Sequence, residues 1–315
     1  MIFVINRSEH PASENLKVRF ARYIYGIMQS AALPAVMLFL AVSFFDANLY
    51  AQNTQSDCKQ IINNMFDAID KVRTLRFNLS SIERFGGARY VKANSTIKVN
   101  VSPYKVYYKD LQTGVEALWL QGQNNNEALI NPNGFPYVNL RLDPYGKLMH
   151  KDSHQTVDRL GFSYIKTILY HSVNQFPNAY RDYIRQLDDT VFDGNICYKI
   201  EMTFPDFRYF TIMVQGNNET VNSIADKFYL NNYLVLKANG LSSYEDRLKA
   251  GTILSVPNMY AKTSIIIIRK DLNLPVYLRI YDDKGLFESY SFTNLQVNTD
   301  IPDAEFTESY PGYNF

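Results

Sequence analysis

Two histidines, His150 and His154, come nearest to a metal-binding or catalytic motif in this sequence. Residues four apart share one face of a helix, so this pair could offer two imidazole ligands to a metal ion. No glutamate follows at the spacing of a metal-dependent hydrolase, and His171 is remote. The favoured interpretation is therefore a solvated helix start, and we predict no metal site.

Two pairs of adjacent carboxylates, Asp188-Asp189 and Asp282-Asp283, could in principle act as general acid and base. Both pairs lie at turn signals, where aspartate is expected because its side chain bonds to the local backbone. The sequence has no nucleophile elbow, no phosphate-binding glycine loop and no cluster of zinc ligands. We therefore predict that the protein is not an enzyme and uses no cofactor.

The composition excludes several classes of protein. Of the 315 residues, 46% are apolar and 20% are charged, which is typical of a globular chain and not of a disordered, collagen-like or coiled-coil protein. The net charge of +1 lacks the basic footprint of a nucleic-acid-binding protein. The 24 tyrosines and 20 phenylalanines favour pleated, half-buried strands. A mostly β protein follows from these proportions.

The N-terminal residues 1–51 have the pattern of a secretory signal peptide. Basic residues precede the uncharged apolar stretch from Ala31 to Phe45, and small residues lead to a cleavage point near Ala51. The stretch from Tyr23 to Phe45 is also long enough to be an uncleaved inner-membrane anchor. The cleaved signal is favoured, and the sequence predicts an exported, periplasmic protein.

Export to an oxidising compartment makes Cys58 and Cys197 candidates for one disulfide that closes a long loop. Two buried thiols are equally compatible with the sequence, because spacing alone does not show that the two Cα atoms approach within bonding range.

Alternation of apolar and polar residues predicts a long antiparallel sheet. Ser56 caps a predicted helix that runs to about Arg73, and helical spacing returns from about Asp152 to Ile184. The predicted strands lie at residues 75–79, 97–101, 115–121, 128–130, 198–204, 265–267, 276–280 and 290–292. Together these elements predict an α+β fold made mostly of antiparallel strands.

The stretch from Glu219 to Pro257 interrupts the alternation. Thr220 caps a predicted short helix, Asn231 or Asn232 caps a second, and a closing strand ends at Val256. The first and last strands of such a unit lie side by side, so it can be inserted into a hairpin of a host sheet. We therefore predict a βααβ insert at residues 212–260. The host domain then consists of residues 52–211 together with 261–315.

The insert resembles the LysM glycan-binding module. The matching segments are Asn218-Glu219-Thr220, Ile224-Ala225, Asn239-Gly240-Leu241 and Leu254-Ser255-Val256-Pro257. The resemblance implies binding of peptidoglycan or another N-acetylglucosamine glycan in two loops. The residues it implies for this site are Glu219, Thr220, Val221, Asn239, Leu241 and Gly251. A LysM fold kept as a spacer without glycan affinity is the alternative.

The end of the host domain resembles the periplasmic lipoprotein carriers of the LolA/LolB type, and most of all an uncharacterised exported family related to them. The residues that carry this resemblance are Pro275, the turn at Tyr281-Asp282, the aromatic strand to Asn294-Leu295 and the closing segment Ile301 to Phe306. The resemblance implies an unclosed half-barrel with a helical lid, whose apolar inner face holds acyl chains. A half-barrel filled by its own helices would show the same alternation.

These features predict a non-enzymatic cell-envelope protein that binds lipid or acylated protein in the half-barrel and associates with peptidoglycan through LysM. The alternative is a wall-associated structural or interaction protein with a packed half-barrel and no lipid cargo. No nucleic-acid partner is expected.

Overall fold

The computed structural model describes residues 57–315. The predicted signal peptide, its cleavage point near Ala51 and the anchor alternative lie outside the described residues. Over residues 57–315, none of the helices combines the length and the apolar character that crossing a bilayer would require.

The described residues form a mostly β fold with five α-helices. The helices are α1 (residues 57–70), α2 (Ser163–Asn174), α3 (Ala179–Asp182), α4 (Val221–Phe228) and α5 (Asn232–Ala238). The strands are β1 (Thr74–Phe85), β2 (Arg89–Val101), β3 (Tyr104–Asp110), β4 (Glu116–Leu120), β5 (Ala128–Asn131), β6 (Leu140–Leu142), β7 (Ile184–Phe192), β8 (Asn195–Thr203), β9 (Tyr209–Met213), β10 (Ile253–Pro257), β11 (Thr263–Arg269), β12 (Pro275–Asp282) and β13 (Gly285–Val297). Short 3-10 helices lie at Asn124–Asn126, Val157–Arg159 and Asp303–Phe306.

Within residues 57–315, eleven strands form one antiparallel sheet in the order β6-β5-β4-β3-β2-β1-β13-β12-β11-β8-β7. The edge strands β6 and β7 do not pair with each other, so the sheet stays unclosed. The predicted α+β half-barrel is confirmed.

We call the inner face of this sheet the one that carries Phe77, Leu79 and Ile97. Successive side chains of a strand point to opposite faces, which fixes the same choice on every neighbouring strand. The predicted first helix is confirmed as α1, although its predicted cap, Ser56, lies outside the described residues. Its apolar stripe, including Ile62 and Met65, is buried in the core of the inner face. Helix α2 adds Ile168 and Leu169 to the same core.

The insert leaves the sheet after β8 and returns at β11, two strands that pair with each other from Thr203 and Thr263 onward. Strands β9 and β10 form a separate antiparallel pair, with α4 and α5 between them in the chain. Thr220 caps α4 in a capping box with Ser223, and Asn231 caps α5. The predicted βααβ order, both caps and the closing strand are confirmed.

Three strands of the large sheet, β3, β6 and β7, were not predicted by alternation. In β3 both Val106 and Tyr107 are buried, because the two faces of this strand are covered, so its pattern is not periodic. Strand β7 lies at the sheet edge and has a register shift between Leu187 and Thr190. Ile184 was predicted as part of a helix, but in the structure it begins β7.

The disulfide left open by the sequence is not formed, because both cysteines are buried free thiols. Cys58 belongs to the inner-face core together with Ile200 and Met202 of β8. Cys197 is an odd number of residues from both along the same strand, so it points to the opposite face of the sheet. The sheet itself separates the two sulfurs.

The outer face of strands β3 to β5 is covered by the C-terminal segment, residues 299–315. Ile301 and Phe306 form a second apolar cluster with Tyr107, Leu118 and Leu129. The ring of Tyr313 stacks on Tyr107 with a centroid separation of 3.8 Å. This segment therefore stabilises the outer face of the sheet near the edge formed by β6.

Glu305 is the polar anchor of the C-terminal segment. Arg76 donates to both of its carboxylate oxygens, at 2.6 and 2.7 Å, and Lys98 Nζ donates to Oε2 at 2.6 Å. These hydrogen bonds, the one from Arg76 foremost, lower the pKa of Glu305 to about 2. The ionised carboxylate thus favours the folded state.

We predict that Glu305→Gln lowers the free energy of unfolding at pH 7 by about 1–3 kcal/mol, since a charge-assisted network is lost. The lowered pKa means that the stabilisation is complete above the ordinary glutamate pKa and disappears as the pH falls towards 2. Urea unfolding at several pH values should therefore show a difference from the wild type that shrinks in acid. The exposed Glu308→Gln is the control, and an equal loss in both variants would contradict this role.

Candidate functional site

A cavity of about 770 Å³ lies between the inner face of the sheet and the elements that cover it. Helix α2 contributes Ile165, Ile168 and Leu169. The irregular stretch before it, residues 148–161, which we call the covering segment, contributes further side chains. The main apolar side chains that line it from the sheet are Leu79, Val91, Val115, Ile130, Leu142, Met202, Leu278, Ile280 and Phe292.

The cavity exists because several inner positions of the sheet carry small side chains. Ser81, Ala93, Ser95, Ala117 and Ser264 all line it. Close packing of a cover against a sheet needs larger residues at such positions, as Phe77 and Ile97 provide further along β1 and β2. The cover therefore leaves an apolar space over the small residues.

Charged and aromatic residues surround the mouth of the cavity. Arg89, Tyr90, Lys92, Lys151 and Asp152 line it and are all exposed. Arg89 donates to Asp152 at 2.9 Å, which joins the start of β2 to the covering segment. The mouth is amphipathic, whereas the interior is mostly apolar.

A buried carboxylate pair lies beside the cavity, where Glu83 of β1, which lines it, stands directly opposite Glu288 of β13. The backbone N–H of His154 donates to Glu83 Oε2 at 2.8 Å, and His154 Nδ1 lies 2.9 Å from Glu288 Oε1. Burial raises the pKa of Glu83, and the negative charge of Glu288 adds to that shift.

Further donors from three parts of the chain complete this network. The Tyr290 hydroxyl donates to Glu83 Oε1 at 2.7 Å, and the Tyr260 hydroxyl donates to Glu288 Oε2 at 3.2 Å. Asn231 Nδ2, from the insert, donates to Glu288 Oε1 at 2.8 Å. Gln155 Nε2 donates to the Tyr290 hydroxyl at 3.2 Å and faces the cavity. Burial raises the pKa values of Tyr260 and Tyr290 well above their ordinary value.

The prediction of a solvated helix start at His150 and His154 is wrong. Both residues lie in the irregular covering segment, and both contact aromatic rings of the insert. His154 stacks on Tyr233 at 4.1 Å, and His150 meets Tyr244 edge-on at 4.2 Å. Burial lowers the pKa of His150 to about 4. Within residues 57–315, no group of three His, Cys, Asp or Glu residues could hold a metal ion.

The expectation of a turn is confirmed for Asp282-Asp283, at the end of β12, but it is wrong for Asp188-Asp189, which lies inside β7 at its register shift. Asp282 accepts from the backbone N–H of Lys284 at 2.8 Å, and it also forms a buried ion pair with Arg84. Asp188 and Asp189 are exposed, and Asp189 pairs with Lys270. Alternation could not reveal Arg84 or Glu83 as buried, because their partners are about 200 residues away in sequence.

Of the residues implied by the LysM resemblance, three lie at the start of α4, Asn239 and Leu241 follow α5, and Gly251 lies in the turn before β10. Glu219 Oε2 accepts from the backbone N–H groups of Gln215 at 2.8 Å and Gly216 at 3.2 Å, and these bonds lower its pKa. Thr220 caps α4, and Val221 is fully buried. These side chains hold the first loop in shape.

The second implied loop is held in the same way. Asn239 donates to the carbonyls of Val235 and Ser255 at 2.7 and 2.8 Å, which ties α5 to β10. Leu241 is half-buried, and Gly251 has a φ of +85°, a conformation that favours glycine. Glycan binding by these residues stays a prediction.

A protein-family model described as a protein of unknown function (DUF1571) matches residues 72–209, which is less than half of the chain. No curated protein matches the sequence. The chain is thus similar to a family whose activity its description leaves open.

Several solved structures are similar to the chain. A DUF1329 family protein from Desulfovibrio piger has 12% identity and a TM-score of 0.31, with 80% of this chain and 98% of that chain covered. The lipoprotein LppX from Mycobacterium tuberculosis has 12% identity and a TM-score of 0.38, with 77% and 96% covered. A LolA superfamily protein from Nitrosomonas europaea has 10% identity and a TM-score of 0.29, with 80% and 98% covered. At such low TM-scores these likenesses carry no information about a ligand.

The buried network predicts a large effect of Glu288→Ala. Asn231 and Tyr260 would each keep a buried donor without its acceptor, so we expect the free energy of unfolding to fall by about 3–5 kcal/mol. Chemical denaturation measures the change.

The matched control is Glu201→Ala on β8. Glu201 pairs at 2.5 Å with Arg185, whose side chain is 71% exposed, so its removal should cost less than about 1 kcal/mol. Equal effects of the two substitutions would contradict the role assigned to the buried network.

Proposed function

We propose that the protein is an exported, non-enzymatic lipid-binding protein that holds the acyl chain of a lipid or an acylated protein in its cavity. The observation that carries this proposal is the volume of about 770 Å³ that remains after α2 and the covering segment are in place. A cavity of this size falls within the range of small-molecule binding sites.

The distribution of polar groups supports a lipid over a polar ligand. The walls formed by the sheet and α2 are mostly aliphatic, so they offer water few hydrogen-bond partners. Burying an acyl chain against them gains roughly 25 cal/mol per Å² of apolar surface. The exposed charges at Arg89, Lys92 and Lys151 suit a polar headgroup that stays at the mouth. The chain would enter with its apolar end first.

The packed half-barrel without cargo is the weaker alternative. That interpretation requires the helices to fill the inner face, as they do over Phe77 and Phe162, which stack at 6.4 Å. Over Ser81, Ala93 and Ser95 the cover leaves space. A structural role would give no reason for small residues at these positions.

Association with peptidoglycan through the insert is the second part of the proposal. The insert has the βααβ order of the module it resembles, and a groove of about 300 Å³ lies between β9 and α4. Glu219, Lys227 and the exposed ring of Phe228 line this groove. Charged groups beside an apolar ring can bind both the hydroxyls and the apolar faces of sugar rings.

We predict that Ala93→Trp blocks lipid binding. Ala93 lines the cavity on β2, so an indole there would occupy the space of the acyl chain. Titration of the delipidated protein with a fluorescent fatty acid should show at least tenfold weaker binding. The control Asn94→Trp places the same side chain at the exposed neighbouring position, and it should bind like the wild type. Unchanged binding by Ala93→Trp would contradict the proposed site.

The glycan proposal predicts that the protein sediments with purified peptidoglycan and that an N-acetylglucosamine tetramer releases it. Phe228→Ala should weaken this association several-fold, because the ring forms one wall of the groove. Phe210→Ala is the control, since the two rings are almost equally exposed, at 41% and 42%, and Phe210 lies outside the groove. Absence of sedimentation in the wild type would leave the insert as a spacer.

A further inference from the structure

The loop between β5 and β6 carries the most exposed large apolar side chains among residues 57–315. Phe135 is 87% exposed, Tyr137 is 82% exposed and Val138 is 58% exposed. The two aromatic rings meet edge-on with a centroid separation of 6.3 Å, so they form one patch. We call residues 132–139 the aromatic tip. An exposed cluster of this kind marks an interaction surface.

Hydrogen bonds within the loop and at its base fix the conformation of the aromatic tip. Asn131 accepts from the backbone N–H of Asn133 at 2.7 Å, and Asn133 Nδ2 donates to the carbonyl of Thr113 at 2.8 Å. The backbone N–H of Tyr137 donates to Gly134 at 2.6 Å, and Tyr137 adopts a φ of +59°, which is uncommon for a bulky residue. The fold thus maintains an unfavourable local conformation that keeps both rings in solvent.

The position of the tip relates it to the cavity. Thr113, to which Asn133 is bonded, lines the cavity, as do its neighbours Gln112 and Val115. Strands β5 and β6, which the tip connects, supply Ile130 and Leu142 to the same lining. A surface that engages the tip therefore comes next to the edge of the cavity.

We propose that the aromatic tip docks on a phospholipid bilayer and inserts Phe135 and Tyr137 into its interface. From Asn131 to Leu140 the sequence has no charged residue, so insertion leaves no charge in the apolar region. Phenylalanine and tyrosine combine apolar rings with tolerance of the interface, where aromatic residues are enriched. The exposed Arg141 follows this uncharged stretch and is a candidate to bind a lipid phosphate. The tip offers no charged group for an ion pair with a protein partner.

The balance of charges shapes the expected binding. With 32 Lys+Arg and 31 Asp+Glu, the chain has no large field to attract anionic lipids. Docking through the tip therefore depends on ring insertion, and it should vary little with salt concentration or with the charge of the lipid.

A tryptophan reporter tests this proposal at the tip itself. The chain has one native tryptophan, Trp119, which is buried. In Phe135→Trp, the new indole should shift its emission to the blue with phosphatidylcholine vesicles, and lipids brominated near the headgroup should quench it. Ile196→Trp is the matched control, because Ile196 is 63% exposed but lies on β8, near the other edge of the sheet. Its indole should remain unquenched. An unquenched indole at residue 135 would overturn the proposal.

A loss-of-binding variant separates docking from the cavity. Phe135→Ser with Tyr137→Ser should weaken vesicle binding by about tenfold or more, since two exposed rings no longer insert. The same variant should bind the fluorescent fatty acid like the wild type, so the tip and the lipid cavity can fail independently. The pair Val191→Ser with Ile196→Ser removes two exposed apolar side chains elsewhere and should leave vesicle binding unchanged. Equal binding by the tip variant and the wild type would contradict insertion.

Discussion

The buried carboxylates of Glu83 and Glu288 impose the constraint on which the arrangement of this protein depends. They lie directly across from each other on adjacent strands, where like charges would repel and both side chains are buried. The strands alone do not supply enough hydrogen-bond donors for these two carboxylates. His154 of the covering segment and Asn231 of the insert supply the missing donors, so one network joins sheet, cover and insert.

The same network explains how an apolar cavity can persist. It fixes the covering segment at one end of the inner face, and α1 and α2 pack against large side chains such as Phe77 further along. Between these two supports the strands carry serine and alanine, and the cover spans them without filling the space. The C-terminal segment packs on the outer face of the sheet, where Glu305 binds Arg76 and Tyr313 stacks on Tyr107. The cavity therefore persists because the covering elements are held at both ends, while the strands between those ends carry side chains too small to fill the space.

Much of the fold could be predicted from the sequence, because alternation and capping are local signals. The first helix, most strands and the insert with caps at Thr220 and Asn231 follow from residues a few positions apart. The buried network could not be predicted, since Glu83 and Glu288 meet only through strand pairing across the chain. The two histidines were misread for a related reason: the rings that bury them, Tyr233 and Tyr244, belong to the insert. The small residues that line the cavity are a local signal of unfilled space. The alternation of apolar and polar residues did not reveal it, because alternation takes no account of side-chain size.

Lipid binding in the cavity is tested most directly by the lipid content of the protein as the cell produces it. Protein purified from its native envelope without detergent would be extracted with organic solvent and analysed by mass spectrometry, with the intact complex weighed in parallel under native conditions. We expect close to one acyl-bearing molecule per chain, released together with the loss of the corresponding mass. Chains that are empty in every preparation, and that remain unable to take up a fatty acid afterwards, would contradict a lipid-binding cavity.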